Sequence, residues 1–390
     1  MQALEGIRIV EIATHGPAAF CGGMLGDLGA EVIRIEVPAD SALWRKSAFA
    51  RKDHDHAWQT ANRNKQSITL DLSTPAGREV AQALVSRADI LLEEFLPGSL
   101  KPASLDYESC QRLNPGIVYC SITPYGQEGP YSHLPGDDLT AQAVGGYMMM
   151  EGSSLGNIGN QVEGAPILPT ILAAEHKAAT HASIAIMAAL WNRRSSGRGQ
   201  AVDISMLDGV VSQQGVRPMG RQRREFNLSG GIRETKDGKW VALAAGEPWT
   251  WANLIRVLGG PAEYEDRAAV ESDRAKALEV DAFMTDRFKT RTRDEWMAAF
   301  EGVDTEVTPV YTPEEVAHDP QMSLRQQQIE VTTVDGRRML QYGIPMHLPD
   351  TPGAVRTPAP RPGQDTDEVL GQLGYDAQAI KRLRSAGALG

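Results

Sequence analysis

Few residues in this chain have the type and spacing for chemistry, and most of them have a plain structural reading too. Asp137 and Asp138 stand side by side between Gly136 and the helical run that starts at Leu139. Either carboxylate could serve as a nucleophile or an acid/base group, and either could simply cap that helix. His54 and His56, in RKDHDHAW, tempt as metal ligands but sit in a charged, solvated loop. His176 and His181 lie five apart on a helix and so off a common face. The basic run Arg217, Arg221, Arg223, Arg224 could receive an acid substrate or be a solvated linker. The turn after the first strand reads ATHGPAAF, without GxGxxG, so no nicotinamide or flavin is expected. GxxxxGK[ST], GxSxG and HExxH are absent too, which removes a P-loop and a serine-elbow hydrolase, and no metal is expected.

Composition narrows the class. The 390 residues are 42% hydrophobic and 23% charged, an ordinary globular balance that suggests two domains. Net charge is −11, which argues against a nucleic-acid partner but says nothing about one local anion pocket. Cys21, Cys110 and Cys120 are too few and wrongly spaced for a disulfide framework. They suit a reducing cytoplasm, where each is expected as a small buried hydrophobe. The N-terminus carries Glu5 and Glu11 and lacks a basic region, so a signal peptide is not expected. No apolar run reaches about 18 residues, so no membrane span is expected.

The elements that must position these residues alternate. GIRIVEIA (6–13), EVIRIEV (31–37), ADILLEEF (88–95), GIVYCSIT (116–123) and QAVDISM (200–206) read as strands. Helical patterns at 17–30, 76–88, 105–114 and 172–194 lie between them, which points to βαβ units and a parallel sheet. The long helix carries Ile184, Met187, Ala188 and Trp191 at helical spacing. A basic, glycine-containing linker is expected over 211–232, then a hairpin about Asp237-Gly238 and three helical patterns. A second hairpin signal at Asp335-Gly336 leads to a Pro-rich surface arm (349–363) and one short amphipathic tail helix (365–388).

Taken in order, GPAAF…LGAEVIRIE, NRNK, YGQEGP and GRGQAVDISM resemble the family III CoA-transferases, which include formyl-CoA and carnitine CoA-transferases and the relative α-methylacyl-CoA racemase. The resemblance covers most of residues 4–260 and returns at 362–375. It implies an α/β fold: a Rossmann-like large domain with a parallel sheet (1–210, completed by 316–390) and a small α+β domain (233–315). It also implies an interlocked homodimer with the active site between subunits. The activity implied is transfer of CoA from an acyl-CoA to a free carboxylic acid, through an aspartyl mixed anhydride and an aspartyl-CoA thioester. A carboxylate nucleophile suits this, because its anhydride stays activated.

The family's GxDxxxQAxxG pattern falls on Gly136 to Gly145 and puts the nucleophile at Asp138, with Asp137 as second candidate. The resemblance also implies CoA contacts at His15, Arg63, Lys65, Phe95 and Gly98. Leu96 stands where the family has an Arg, and Lys101 or Arg45 would compensate. Tyr125, Gly126 and Gln127 match the loop at the mouth of the site, and Gly246 the loop that covers intermediates. Two rivals follow. A racemase needs two placed acid/base groups, and the family's His before the Asp is here Asp137. A CoA-binding homologue without turnover is the other, consistent with Leu96.

Overall fold

In the computed structural model, which describes residues 1–14, 16–38, 55–148, 166, 168–214 and 228–389, the apolar N-terminal runs become strands. They are β1 (Arg8–Ile12), β2 (Glu31–Glu36), β3 (Lys65–Thr69), β4 (Ile90–Glu93), β5 (Val118–Thr123) and β6 (Ala201–Ser205). All pair in parallel, in the order β3-β2-β1-β4-β5-β6. Between them run α1 (Pro17–Asp27), α2 (Asp55–Ala61), α3 (Pro75–Val85), α4 (Tyr107–Leu113), α5 (Asp138–Val144) and α6 (Ala173–Ser196), and α7 (Met206–Gln213) follows β6. The order reverses between β1 and β4, the place where open α/β sheets leave a crevice beyond their carboxyl ends.

Side chains alternate along each strand and build one core per face. Ile9, Val32, Leu92 and Cys120 pack under α1 and α6. Val10, Ile33, Ile68, Leu91 and Tyr119 pack under α3 and the C-terminal segment. That segment supplies α14 (Thr366–Leu373) and α15 (Ala377–Ser385), whose Val369, Leu370 and Ile380 enter the second core. Where one tail helix was expected there are two, because α14 stops at Gly374 and Asp376 caps α15 through the Ala379 N–H. The Pro-rich stretch has neither helix nor strand, and Asn64 ties it down by bonding Ala354 O and the Arg356 and Thr357 N–H groups. All three cysteines are free and buried.

The first core contains a row of charge. Register sets Glu11 of β1 beside Arg34 of β2, and Arg34 beside Ser67 of β3. Arg34 donates to Glu11 (2.5 Å), Glu36 (2.7 Å) and the carbonyls of Ala13 and Thr14. Lys65 donates to both Glu11 oxygens (3.1 and 2.9 Å), to Ala19 O of α1 and to Asn62. Burial pulls Lys65 down against the pull of Glu11. Burial also works against the Arg34 charge, but Glu36 and Glu11 more than offset it and hold the guanidinium above its usual range. Helix α1 lies close over this row. A Cβ at Gly22 would sit 2.0 Å from Glu11 Oε2 and 3.4 Å from Lys65 Nζ, so only glycine fits. β3 was not read as a strand, because its Lys65 and Ser67 are polar yet buried by these partners.

The chain divides into two units, Met1–Met219 with Gln326–Gly390, and Gly220–Arg325. The second holds an antiparallel sheet of β7 (Gly230–Glu234), β8 (Trp240–Ala244) and β9 (Val307–Val310). It also holds α8 (Pro248–Leu258), α9 (Arg267–Ser272), α10 (Arg274–Phe288) and α11 (Arg293–Phe300), packed around Trp251, Phe288 and Trp296. Its last helices are α12 (Pro313–Val316) and α13 (Pro320–Leu324), so it runs past the expected boundary at 315. The return to the first unit begins with the hairpin β10 (Gln328–Thr332) and β11 (Arg338–Tyr342). At the other boundary, α7 and β7 occupy residues that read as linker, and Ser205 caps α7 through the Asp208 N–H.

β4 ends at the reversal point on two buried glutamates. Burial pushes Glu93 up to about 7, against hydrogen bonds from Ser121 and the Phe95 N–H. It pushes Glu94 up to about 8, against Arg34 and the N–H groups of Thr14 and Ala18. Two consequences can be measured. Lys65→Met leaves Glu11 short of a cation in a closed interior, so stability in urea should fall by about 3–5 kcal/mol. Between pH 4.5 and about 7 the folded state holds the Glu93 proton that the unfolded chain has released. Folding therefore takes up a proton, and this group's contribution falls as pH rises. Relative to wild type, Glu93→Gln should gain stability across that window, by at most about 1.4 kcal/mol per pH unit, and level off above it.

Candidate active site

The site is built where α5 begins. Gly136 packs so tightly that a Cβ there would be 2.8 Å from Pro124 Cβ and 3.0 Å from both Tyr125 Cε2 and Thr140 Oγ1. This contact seats the turn before α5 against the loop after β5. Asp137 is the N-cap: its side chain accepts from the Thr140 N–H (3.0 Å), and Thr140 Oγ1 accepts from the Asp137 N–H (2.8 Å). The capping role is thus filled, and Asp138 is left as the first residue of the helix with its side chain turned inward, 5% exposed.

Each Asp138 oxygen has a donor. Oδ1 accepts from the backbone N–H of Glu175, in the first turn of α6, at 2.9 Å. Oδ2 accepts from the Gln142 side-chain amide, which also donates to Ile171 O at 3.1 Å. Helix α6 has no side-chain cap of its own at Leu172, so the Asp138 carboxylate meets that orphan backbone donor. The positive ends of two helices converge on one carboxylate. One turn into α6, the His176 ring lies against Phe20 with centroids 4.5 Å apart. Burial lowers its pKa, opposed by the charge of Asp138.

The Tyr125-Gly126-Gln127 loop joins this site through Gly136. Tyr125 is half-buried, edge-on to Tyr131 at 5.7 Å. The Gly126 N–H donates to Thr123 Oγ1 (2.9 Å) and the Gln127 N–H to Asp203 Oδ2 (3.1 Å). The Gln127 side-chain nitrogen is buried without a hydrogen-bond partner among the described residues.

The expected CoA contacts separate into groups. Arg63 and Lys65 are corrected: both are buried and face inward. Arg63 forks onto Asp27 (3.1 and 2.7 Å) and donates to Tyr342 O (2.6 Å), and Lys65 is consumed by Glu11. Phe95 is corrected too, being 1% exposed in the core beneath β4 and so not a groove wall. Gly98 and Lys101 are exposed beyond the carboxyl end of β4, and Leu96 is half-buried. Gly246 lies in the second unit, exposed just before α8. His15, Arg45, His54 and the Arg217–Arg224 run lie outside the described residues. Among the described residues no cluster of His, Cys, Asp and Glu is arranged to hold a metal, and no helix is long and apolar enough to cross a membrane.

Two groups that meet Asp138 escaped the sequence reading. Gln142 was detectable, being four residues beyond Asp138 on a helix and hence on the same face. The Glu175 N–H was not, because no local pattern links residue 138 to the start of α6.

The family model described as CoA-transferase family III matches residues 4–366. The chain is 30% identical to the succinyl-CoA–L-malate CoA-transferase beta subunit of Chloroflexus aurantiacus, covering 98% of this chain and 97% of that one. It is 30% identical to a succinate–glutarate CoA-transferase of Agrobacterium fabrum (95% of each). It is 32% identical to the alpha-methylacyl-CoA racemase of Mus musculus (98% and 96%). The crystal structure of a CAIB/BAIF family protein from Brucella suis superposes with a TM-score of 0.78 at 26% identity, over 95% of this chain and 99% of that one. A family model that matches residues 4–366, with relatives at 30% and 32% identity over 98% of the chain, means that the chain belongs to CoA-transferase family III.

Proposed function

We propose that the protein transfers CoA from an acyl-CoA to a free carboxylic acid, with Asp138 as nucleophile. The observation that carries this reading is the Asp138 carboxylate itself, relieved of capping its own helix by Asp137 and given one donor per oxygen. Attack on a thioester by such a group needs no ATP, because the bond energy of the thioester passes into an anhydride and then back into a thioester. For CoA recognition, the exposed Gly98 and Lys101 remain the proposed contacts, with His15 and Arg45; for the substrate, the Tyr125–Gln127 loop and Gly246 remain the proposed contacts. The named activities of the relatives make succinyl-CoA the first donor to try.

A racemase reading needs a second acid/base group, since proton removal and return need two, and the candidate is His176, next in the chain to the Glu175 N–H that Asp138 accepts. One assay separates the readings: a panel of acyl-CoA donors and acids run in deuterium oxide, with mass spectrometry of the Asp138 peptide. Wild type should transfer CoA and carry an acyl or CoA adduct on Asp138. Asp138→Ala should lose transfer by at least about 1,000-fold. Uptake of α-deuterium by a 2-methylacyl-CoA without transfer would point to racemisation. Tight CoA binding with no transfer for any pair would point to a homologue without turnover.

The working unit we propose is an interlocked homodimer that shares its sites. Ile184 (63%), Met187 and Trp191 (72%) of α6 are exposed in the single chain, while its Ala178, Ala182 and Ile186 face the core. Exposed apolar groups on one helix suit a partner surface. Light scattering should return twice the chain mass of 42.3 kDa; a value equal to one chain would reject the dimer.

A further inference from the structure

The reaction proposed above makes Asp138 an electrophile as well as a nucleophile. In the first step an Asp138 oxygen forms a bond to the thioester carbon, and the C–S bond breaks to release CoA thiolate. In the second step the thiolate forms a bond to Asp138 Cγ and expels the donor acid, which leaves with the bridging oxygen. The acceptor carboxylate then attacks Cγ and releases the thiolate, which attacks the acceptor acyl carbon and regenerates Asp138. No net proton is consumed, and the oxygen lost to the donor is returned by the acceptor. In the two middle steps, therefore, negative charge develops on the non-bridging oxygen of the enzyme's own side chain.

Both candidate oxygens already have a donor: the Glu175 N–H on Oδ1 and the Gln142 amide on Oδ2. With Oδ1 as the bridge, the charge falls on Oδ2 and so on the Gln142 amide, while the Glu175 N–H stays on the bridging oxygen. Gln142 is held for this task. Its side chain is fully buried, and both of its N–H bonds are used, one on Asp138 and one on Ile171 O. The reversed amide would turn its oxygen toward a carboxylate and a carbonyl, so the orientation is set by the network. Its Oε1 is buried with no partner among the described residues, an unmet acceptor of the kind that native interiors rarely keep without reason. We propose that the Gln142 amide is the oxyanion donor for the aspartyl carbon of the enzyme, with Oδ1 as the bridging oxygen held by the Glu175 N–H. This rests on Asp138 being the nucleophile.

The test mixes enzyme with an acyl-CoA donor alone and follows adducts on Asp138 by rapid quench and mass spectrometry. In Gln142→Ala the CoA adduct should form about 100- to 1,000-fold more slowly, as expected for loss of one oxyanion donor. The acyl adduct should build up, because the charge of the first step lies on the substrate. The affinity for acyl-CoA should be unchanged. Gln142→Glu keeps the shape and carries the test if the Ala variant does not fold. It should be slow at neutral pH and speed up as pH falls, because its carboxyl donates only when protonated. A purely structural role would show no such acid limb. Formation of the CoA adduct at the wild-type rate in Gln142→Ala, or a flat pH profile in Gln142→Glu, overturns the inference while leaving Asp138 as nucleophile. Absence of any Asp138 adduct in wild type overturns both.

Discussion

The guanidinium of Arg34 holds half of the sheet from within. It joins β1 to β2 through Glu11, closes back on Glu36 of its own strand, and bonds the carbonyls of Ala13 and Thr14 where the chain leaves β1. Lys65 adds β3 and the α1 backbone to the same cluster. Charges buried this deeply are tolerated only when every donor is met. A slip of β2 by one residue would turn Arg34 to the apolar face, so the row also sets the register. The glycine at position 22 follows from it, since α1 can rest on this layer only without a side chain there.

That constraint explains why the first turn of the fold serves this chain differently from a dinucleotide-binding protein. In such proteins, the start of the first helix receives a pyrophosphate. Here the Ala18 N–H of α1 donates to the Glu94 carboxyl, which also takes the Thr14 N–H. An internal acid occupies the donors that a phosphate would use. The proposed chemistry lies instead at the first residue of α5, where Asp138 accepts the Glu175 N–H of α6. Both arrangements answer an orphan helix N–H with a carboxyl group, one within the fold and the other at the proposed nucleophile.

Much of this was readable along the chain. The apolar runs of β1, β2, β4 and β5 announce strands covered on both faces, and Pro17, Pro75 and Pro248 mark helix starts as their geometry requires. The Gly-Asp-Asp step ahead of a helical run already offered Asp137 and Asp138, and the family resemblance put the nucleophile at Asp138. What misled were polar residues with buried partners. Lys65 and Arg63 look like phosphate ligands by type and by family position, yet Glu11 and Asp27 claim them. Phe95 looks like a groove wall, yet it fills the core.

Residue order alone determined what is local: the strand and helix periods, the turn at Asp137, the capping box with Thr140, and the i,i+4 relation of Asp138 to Gln142. Those depend on interactions a few residues apart, which the periodicities of strand and helix make legible. Only the tertiary structure decided which cations stay available to a ligand and which are spent inside. It also decided that residue 175 supplies a donor to residue 138. These are choices among partners distant in sequence, and they are made by burial, where a charge must take the nearest opposite charge or hydrogen bond.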